Sequence, residues 1–242
     1  MTDGSRKMKE ERISPIAAIL VIILTFTISI ITGIIIYLAY LVINLRLSVE
    51  LPPIINAFVM VVGELMFFIV PFTFMLLKGI NVKKYIKVGD TKLKGLLLGI
   101  GLGLVLLVMD LFLTLALTYV LGESQVVKEA NETVIELATH STTSLALLTL
   151  ALSLAGLCEE FAFRGFLQNA LESRYPSPIA IIGAALAFGL AHFDPQAVYS
   201  IVGFAHGLVL GYVYAKLKSY VSVASAHVMI NLASLALFLL LT

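Results

Sequence analysis

Charged residues in this chain are sparse and bunched, and the stretches between the bunches are apolar for longer than a soluble core helix requires. The first charge-free run is Ile13–Leu45, between Arg12 and Arg46. Its 33 residues would make a helix about 50 Å long at ~1.5 Å per residue. That exceeds the ~30 Å hydrocarbon core of a bilayer, so a tilted or protruding spanning helix is predicted. A cleaved signal would have only ~7–15 apolar residues and a small-residue cleavage site, and neither fits. Further spans are predicted over 54–77 after Pro52-Pro53, 95–121, 143 to Glu159-Glu160, 178–193, 197–215 and from Tyr220 to the end. The expected fold class is all-α, a polytopic transmembrane helix bundle of about seven spans, in the range of about six to eight. A polar stretch with Glu123, Glu129, Glu132 and Glu136 reads as an external loop.

Composition supports this pattern. Of 242 residues, 60% are hydrophobic and 13% charged, against ~45–50% and ~25% in soluble domains. Disorder and an ordinary soluble enzyme are excluded, and a formal charge of +1 gives no pull toward nucleic acid. The single cysteine, Cys158, allows no internal disulfide. All Lys and Arg except Arg46 and Lys128 fall in the N-terminal tail, in 78–94, between spans four and five, or between six and seven. By the positive-inside rule the N-terminus is cytoplasmic. Two glycine rows, Gly95-Gly99-Gly103 and Gly203-Gly207-Gly211, each lie on one helix face and predict close helix approach. No 20–50-residue repeat stands out.

Ionisable residues inside spans carry the chemistry, because each costs ~2.5–3.5 kcal/mol to insert. Glu160 and Arg164 beside Glu159, Phe188 and His192, and His227 and Asn231 are each spaced i,i+4, and so share a helix face. Glu159 lies 16 residues before Tyr175 and His192 lies 17 after it. A helical hairpin folded there puts them about 24 and 25 Å from the turn, at one level. Asn231, 13 residues past Lys218, reaches about 20 Å. The polar segment Gln168, Asn169, Glu172, Arg174 is expected to leave the membrane, with the cluster approached from the cytoplasmic side. A carboxylate and an imidazole can hold and deprotonate water, and a His and an Asn one turn apart can donate to an oxyanion. Equally, Glu159, His192 and His227 could bind zinc, with the other Glu as base. Spacing alone leaves both versions open, although no H-E-x-x-H helix is present.

These residues resemble a known family. Glu159-Glu160-Phe161-Ala162-Phe163-Arg164 resembles E-E-x-x-x-R, Phe188-Gly189-Leu190-Ala191-His192 resembles F-x-x-x-H, and His227-Val228-Met229-Ile230-Asn231 resembles H-x-x-x-N. In this order they are similar to the CAAX-processing and bacteriocin-processing family of intramembrane endopeptidases, over residues 143–235. Gly207 and Gly211 after His206 resemble its glycine-rich helix. The resemblance implies hydrolysis of a peptide bond in a membrane-anchored substrate, such as the C-terminal tripeptide after a prenylated cysteine. It implies Glu159 as base, His192 as its partner on the water, His227 and Asn231 at the oxyanion, and Glu160–Arg164 as an orienting ion pair. Phe188 is expected to pack or to wall the substrate. The glutamate version requires no cofactor; the metalloprotease version takes zinc on Glu159, His192 and His227. The domain reading is one integral membrane domain: tail 1–14, accessory transmembrane helices 15–142 and catalytic core 143–242. The membrane is the plasma membrane in a prokaryote and the endoplasmic reticulum in a eukaryote.

The rival function is a non-proteolytic membrane scaffold or immunity-type protein on the same fold, and a proton-coupled transporter ranks last. Glu64 and Asp110, mid-span acids outside the motifs, are expected to have partners on neighbouring helices. His206 reads as a packed histidine, His140 as solvated and Cys158 as a small hydrophobe.

Overall fold

The computed structural model describes residues 13–47, 54–88 and 92–241. The expected tail 1–14 therefore falls almost wholly outside the described residues, as does Pro52-Pro53. Among the described residues all regular structure is helical. The helices are α1 Pro15–Leu47, α2 Ile54–Leu77, α3 Val82–Tyr85, α4 Lys92–Leu121, α5 Gln125–His140, α6 Thr142–Glu160, α7 Asn169–Glu172, α8 Ser177–Ala191, α9 Val198–Leu217 and α10 Tyr220–Leu241. A π-helical segment, Phe161–Gln168, joins α6 to α7. Six helices are long and apolar enough to cross a membrane, and α8 is a shorter apolar one. The chain is an all-α polytopic bundle of about seven spans, as the hydropathy predicts.

The chain order sorts the turns to two ends. One end carries α3 and the α7–α8 and α9–α10 turns, and with them most of the lysines. The other carries α5 and the turn between α8 and α9. The stretch expected as an external loop is largely the amphipathic helix α5. Its Leu137 and Ala138 are buried with Ala57 of α2, Leu148 of α6 and Leu235 of α10. The loop expectation counted the glutamates and missed the apolar stripe behind them.

Small residues set the packing distances. A Cβ on Gly103 would meet Met229 Cβ at 2.6 Å and Ala226 O at 2.7 Å, so α4 lies directly on the backbone of α10. A Cβ on Gly207 would meet Ala185 Cα at 2.8 Å, which brings α9 equally close to α8. Both contacts follow the predicted glycine rows.

The polar segment after Arg164 is graded: Gln168 is fully buried and Asn169 nearly so, while Glu172 is half-buried and Arg174 exposed. Asn169 Nδ2 donates to Tyr85 O at 2.8 Å and Gly165 O at 2.8 Å, and contacts Tyr214 Oη at 2.7 Å. Gln168 Nε2 donates to Gly211 O at 3.0 Å, and Tyr214 Oη donates to Ile86 O at 3.0 Å. Once paired, such groups can be buried within a bundle.

Candidate active site

The site is built where α6 and α10 cross. They run antiparallel, so Leu152, Gly156 and Glu160 meet Asn231, Val228 and His227 in reverse order. Gly156 fixes the approach: a Cβ there would meet Val228 N at 2.5 Å and Val228 Cα at 2.8 Å. No larger residue lets the carboxylates of α6 reach His227.

At Glu160 the α-helix gives way to the π-helical turn, a form concentrated at functional sites. All of Phe161–Gln168 is buried. Aromatic rings surround it: Phe163 contacts Phe26 of α1, Phe67 of α2 and Phe188 of α8. The accessory helices α1 and α2 thus clamp the turn that carries the motif.

Glu160 and Arg164 are fully buried, with Arg164 Nη1 to Glu160 Oε1 at 2.7 Å. Arg164 Nη2 donates to Gly207 O at 3.3 Å, and its guanidinium lies 4.3 Å from the Phe188 ring centroid. The expected ion pair is present, and Phe188 packs as expected. The same Glu160 oxygen also accepts from His227 Nδ1 at 3.0 Å. A buried charge is tolerable when paired and hydrogen-bonded this way.

His227 therefore has a fixed orientation. Its other nitrogen, Nε2, lies 3.9 Å from Glu159 Oε2. At that separation there is no hydrogen bond, so only Nδ1 is fixed, as the donor to Glu160. His192 is also held through its Nδ1. It caps the C-terminus of α8, and its Nδ1 lies 2.9 Å from Phe188 O. A carbonyl can only accept, so Nδ1 carries the proton and Nε2 is the acceptor of the neutral ring. The Phe188 ring lies against both imidazoles, 4.6 Å from His192 and 5.7 Å from His227 between centroids. Asn231 Nδ2 donates to Leu152 O at 3.0 Å.

Several contributors carry no motif. Asp194 is buried and accepts from the backbone N–H of Gln196 at 3.1 Å, Tyr199 at 2.7 Å and Ser200 at 3.3 Å. It folds the turn beyond His192, and Ser200 Oγ donates to His192 O at 3.3 Å. An Asp just before a predicted helix was the available signal. Gly156 gave no signal beyond being small. Glu64 has a buried Oε2 without a protein partner and lies within electrostatic range of Glu159. Asp110 faces His206, Oδ1 to Nε2 at 3.7 Å, so this acid does have a neighbour on another helix. His140 is exposed and Cys158 is buried.

Among the described residues, Glu159, His192 and His227 included, no three His, Cys, Asp or Glu side chains are arranged to hold a metal ion.

Residues 141–233 match the family described as type II CAAX prenyl endopeptidase Rce1-like. No curated protein and no solved structure matches the chain. The matched segment spans α6 to most of α10 and contains all three motifs.

Proposed function

On the premise that this segment belongs to the type II CAAX prenyl endopeptidase family, a family of membrane proteases, we propose that the chain is an intramembrane endopeptidase. It hydrolyses a peptide bond in a membrane-anchored protein, and the bond after a prenylated cysteine is the one to test first. The observation that carries this reading is the meeting of α6 and α10, where Glu160 holds His227 Nδ1 at 3.0 Å and Glu159 Oε2 lies 3.9 Å from His227 Nε2. His192 is oriented in the same way, with Nδ1 on Phe188 O and Nε2 left as the acceptor.

In this mechanism one water donates its two hydrogens to Glu159 and to His192 Nε2, which aims its lone pair at the scissile carbonyl. Attack forms the C–O bond, and Glu159 takes a proton. In this scheme His227 is doubly protonated, its Nδ1–H held by Glu160, so that its Nε2–H and the second amide hydrogen of Asn231 donate to the oxyanion. As the C–N bond breaks, the proton on Glu159 passes to the leaving nitrogen. The remaining acid proton follows, giving carboxylate and ammonium. Glu160 and Arg164 hold His227 in place and touch no reacting atom. The scheme uses no metal. By the distribution of lysine, we place the lysine-bearing end and the N-terminus in the cytoplasm, and we assign 15–142 as accessory helices and 143–242 as the catalytic core.

The test is cleavage of a lipid-anchored peptide, with a prenylated cysteine three residues from its C-terminus, by purified protein in liposomes. Wild type is expected to release the tripeptide, Glu159→Gln to release none, and a chelator to leave the rate unchanged. Release by Glu159→Gln at the wild-type rate removes the base assignment.

A further inference from the structure

Hydrolysis inside lipid consumes one water per turnover, and that water must reach Glu159. Toward the lysine-bearing end Gln168, Asn169, Tyr214 and Ile86 are buried and bonded to one another's segments, although Gln168 Oε1 and Asn169 Oδ1 have no hydrogen-bond partner. From the α5 end a different set of residues leads inward. Tyr199, at the start of α9, contacts Asn131 Oδ1 of α5 at 3.5 Å and lies within electrostatic range of Asp110. Asp110 and Thr114 are one turn apart on α4, and Thr114 Oγ1 is buried with no protein partner. Asp110 Oδ1 faces His206 Nε2 at 3.7 Å, and that nitrogen too is buried without a hydrogen bond.

His206 ends this file beside the site. It lies three residues past Gly203 on α9, so the two share a face. A Cβ on Gly203 would lie 3.3 Å from His192 Cβ and Cγ. The charged and titratable groups around His206 are Asp110 of α4, His192 at the end of α8, His227 of α10 and Arg164 of the π-helical turn. Buried polar groups without protein partners are hydrated where there is room. At 3.7 Å, Asp110 and His206 are too far apart for a direct hydrogen bond.

We propose that Asp110, Thr114 and His206 form the polar path by which the hydrolytic water enters from the α5 end and reaches Glu159 and His192. The path rests on the hydrolase reading for its purpose and on the packing of α4 and α9 for its existence. Asp110 and His206 act in it as water-holding groups, so polarity matters and charge does not.

Two measurements test it on the full chain in liposomes. The first does not depend on catalysis. In a Cys158→Ser background, Thr114→Cys is expected to react with a small, charged, water-soluble thiol reagent added on the α5 side. Val223→Cys, on α10 and fully buried in the core, is expected to stay unreacted. An unreactive Thr114→Cys, or one labelled only from the lysine-bearing side, overturns the path. The second is turnover of the membrane-anchored peptide. His206→Leu and Asp110→Leu are expected to lower kcat tenfold or more with KM within twofold. His206→Gln and Asp110→Asn, which still hold water, should stay within threefold of wild type. Wild-type kcat in the leucine variants, or equal loss in the polar ones, overturns the path. If Glu159→Gln keeps full turnover while Thr114→Cys is labelled, the hydrolase mechanism fails and the path stands.

Discussion

The helix from Thr142 to Glu172 has two polar halves that look alike in sequence and do opposite work. The half near the lysine-bearing end, Gln168, Asn169 and Glu172, binds other backbone and side chains directly. Asn169 holds Tyr85 O, Gln168 holds Gly211 O, and Glu172 lies 3.3 Å from Lys87 Nζ and 3.6 Å from Lys218 Nζ. Through these contacts the segment between α2 and α4 is fastened to the core. The other half, Glu159, Glu160 and Arg164, commits only two of its three charges to each other. Glu160 and Arg164 are fully buried. Glu159, whose side chain keeps 13% exposure, has a buried oxygen with no hydrogen bond. Both halves keep buried oxygens without hydrogen bonds, Gln168 Oε1 and Asn169 Oδ1 in one and Glu159 Oε2 and Glu160 Oε2 in the other, so what separates them is that the proposed base, Glu159, makes the fewest contacts to protein.

The strongest way to break this contrast is at Glu159. Glu159→Gln should lower kcat by ~10²–10⁴ while thermal stability holds or rises, because no hydrogen bond is lost. Turnover and a melting curve on the same preparation decide it. The neighbouring position should behave in reverse. Arg164→Met leaves Glu160 buried without its cation, and a loss of about 3–5 kcal/mol is expected, read by denaturant titration in detergent. A smaller change tests the crossing that brings the halves of the site together. Gly156→Ala should cost about 1–3 kcal/mol through overpacking. It should also reduce turnover more than that stability loss explains, since it pushes Glu159 and Glu160 away from His227.

On the anchoring half, Asn169→Leu removes contacts to Tyr85 O and Tyr214 Oη. A cost of about 1–3 kcal/mol is expected, with new protease sensitivity in 80–88 and kcat unchanged. A slower kcat at full occupancy would show that the anchor also serves the site. The smallest effect concerns pH. Burial holds the Lys87 ammonium below its ordinary range, against Glu172, which raises it, with Lys218 lowering it further. The unfolded chain therefore binds more protons at this residue than the folded one. Its contribution to stability rises with pH through the interval just below the ordinary lysine value. Wild type should gain stability relative to Lys87→Met between about pH 8 and 10, as measured by paired melting curves.

Much of the site was legible because helix geometry fixes which residues share a face. The Glu160–Arg164 pair follows from i,i+4 spacing, and the mid-span acid Asp110 does have a neighbour on another helix, His206. The glycine rows predicted the close packing of α4 on α10 and α9 on α8. The burial of Gln168 and Asn169 was not legible, because their partners, Tyr85, Gly211 and Tyr214, lie on other elements. Asp194 was overlooked although its place before α9 was a visible signal.

The chain's own order of residues determined that it is an all-helical membrane bundle and which residues carry the three motifs. Hydropathy and helical spacing are local properties, readable one segment at a time. Only the tertiary structure decided that Glu160 is hydrogen-bonded to Arg164 and, across 67 positions, to His227, while the neighbouring Glu159 comes no nearer to His227 than 3.9 Å. Those outcomes depend on which backbone carbonyls and carboxylates other helices bring within about 3 Å, and no spacing within one helix contains that information.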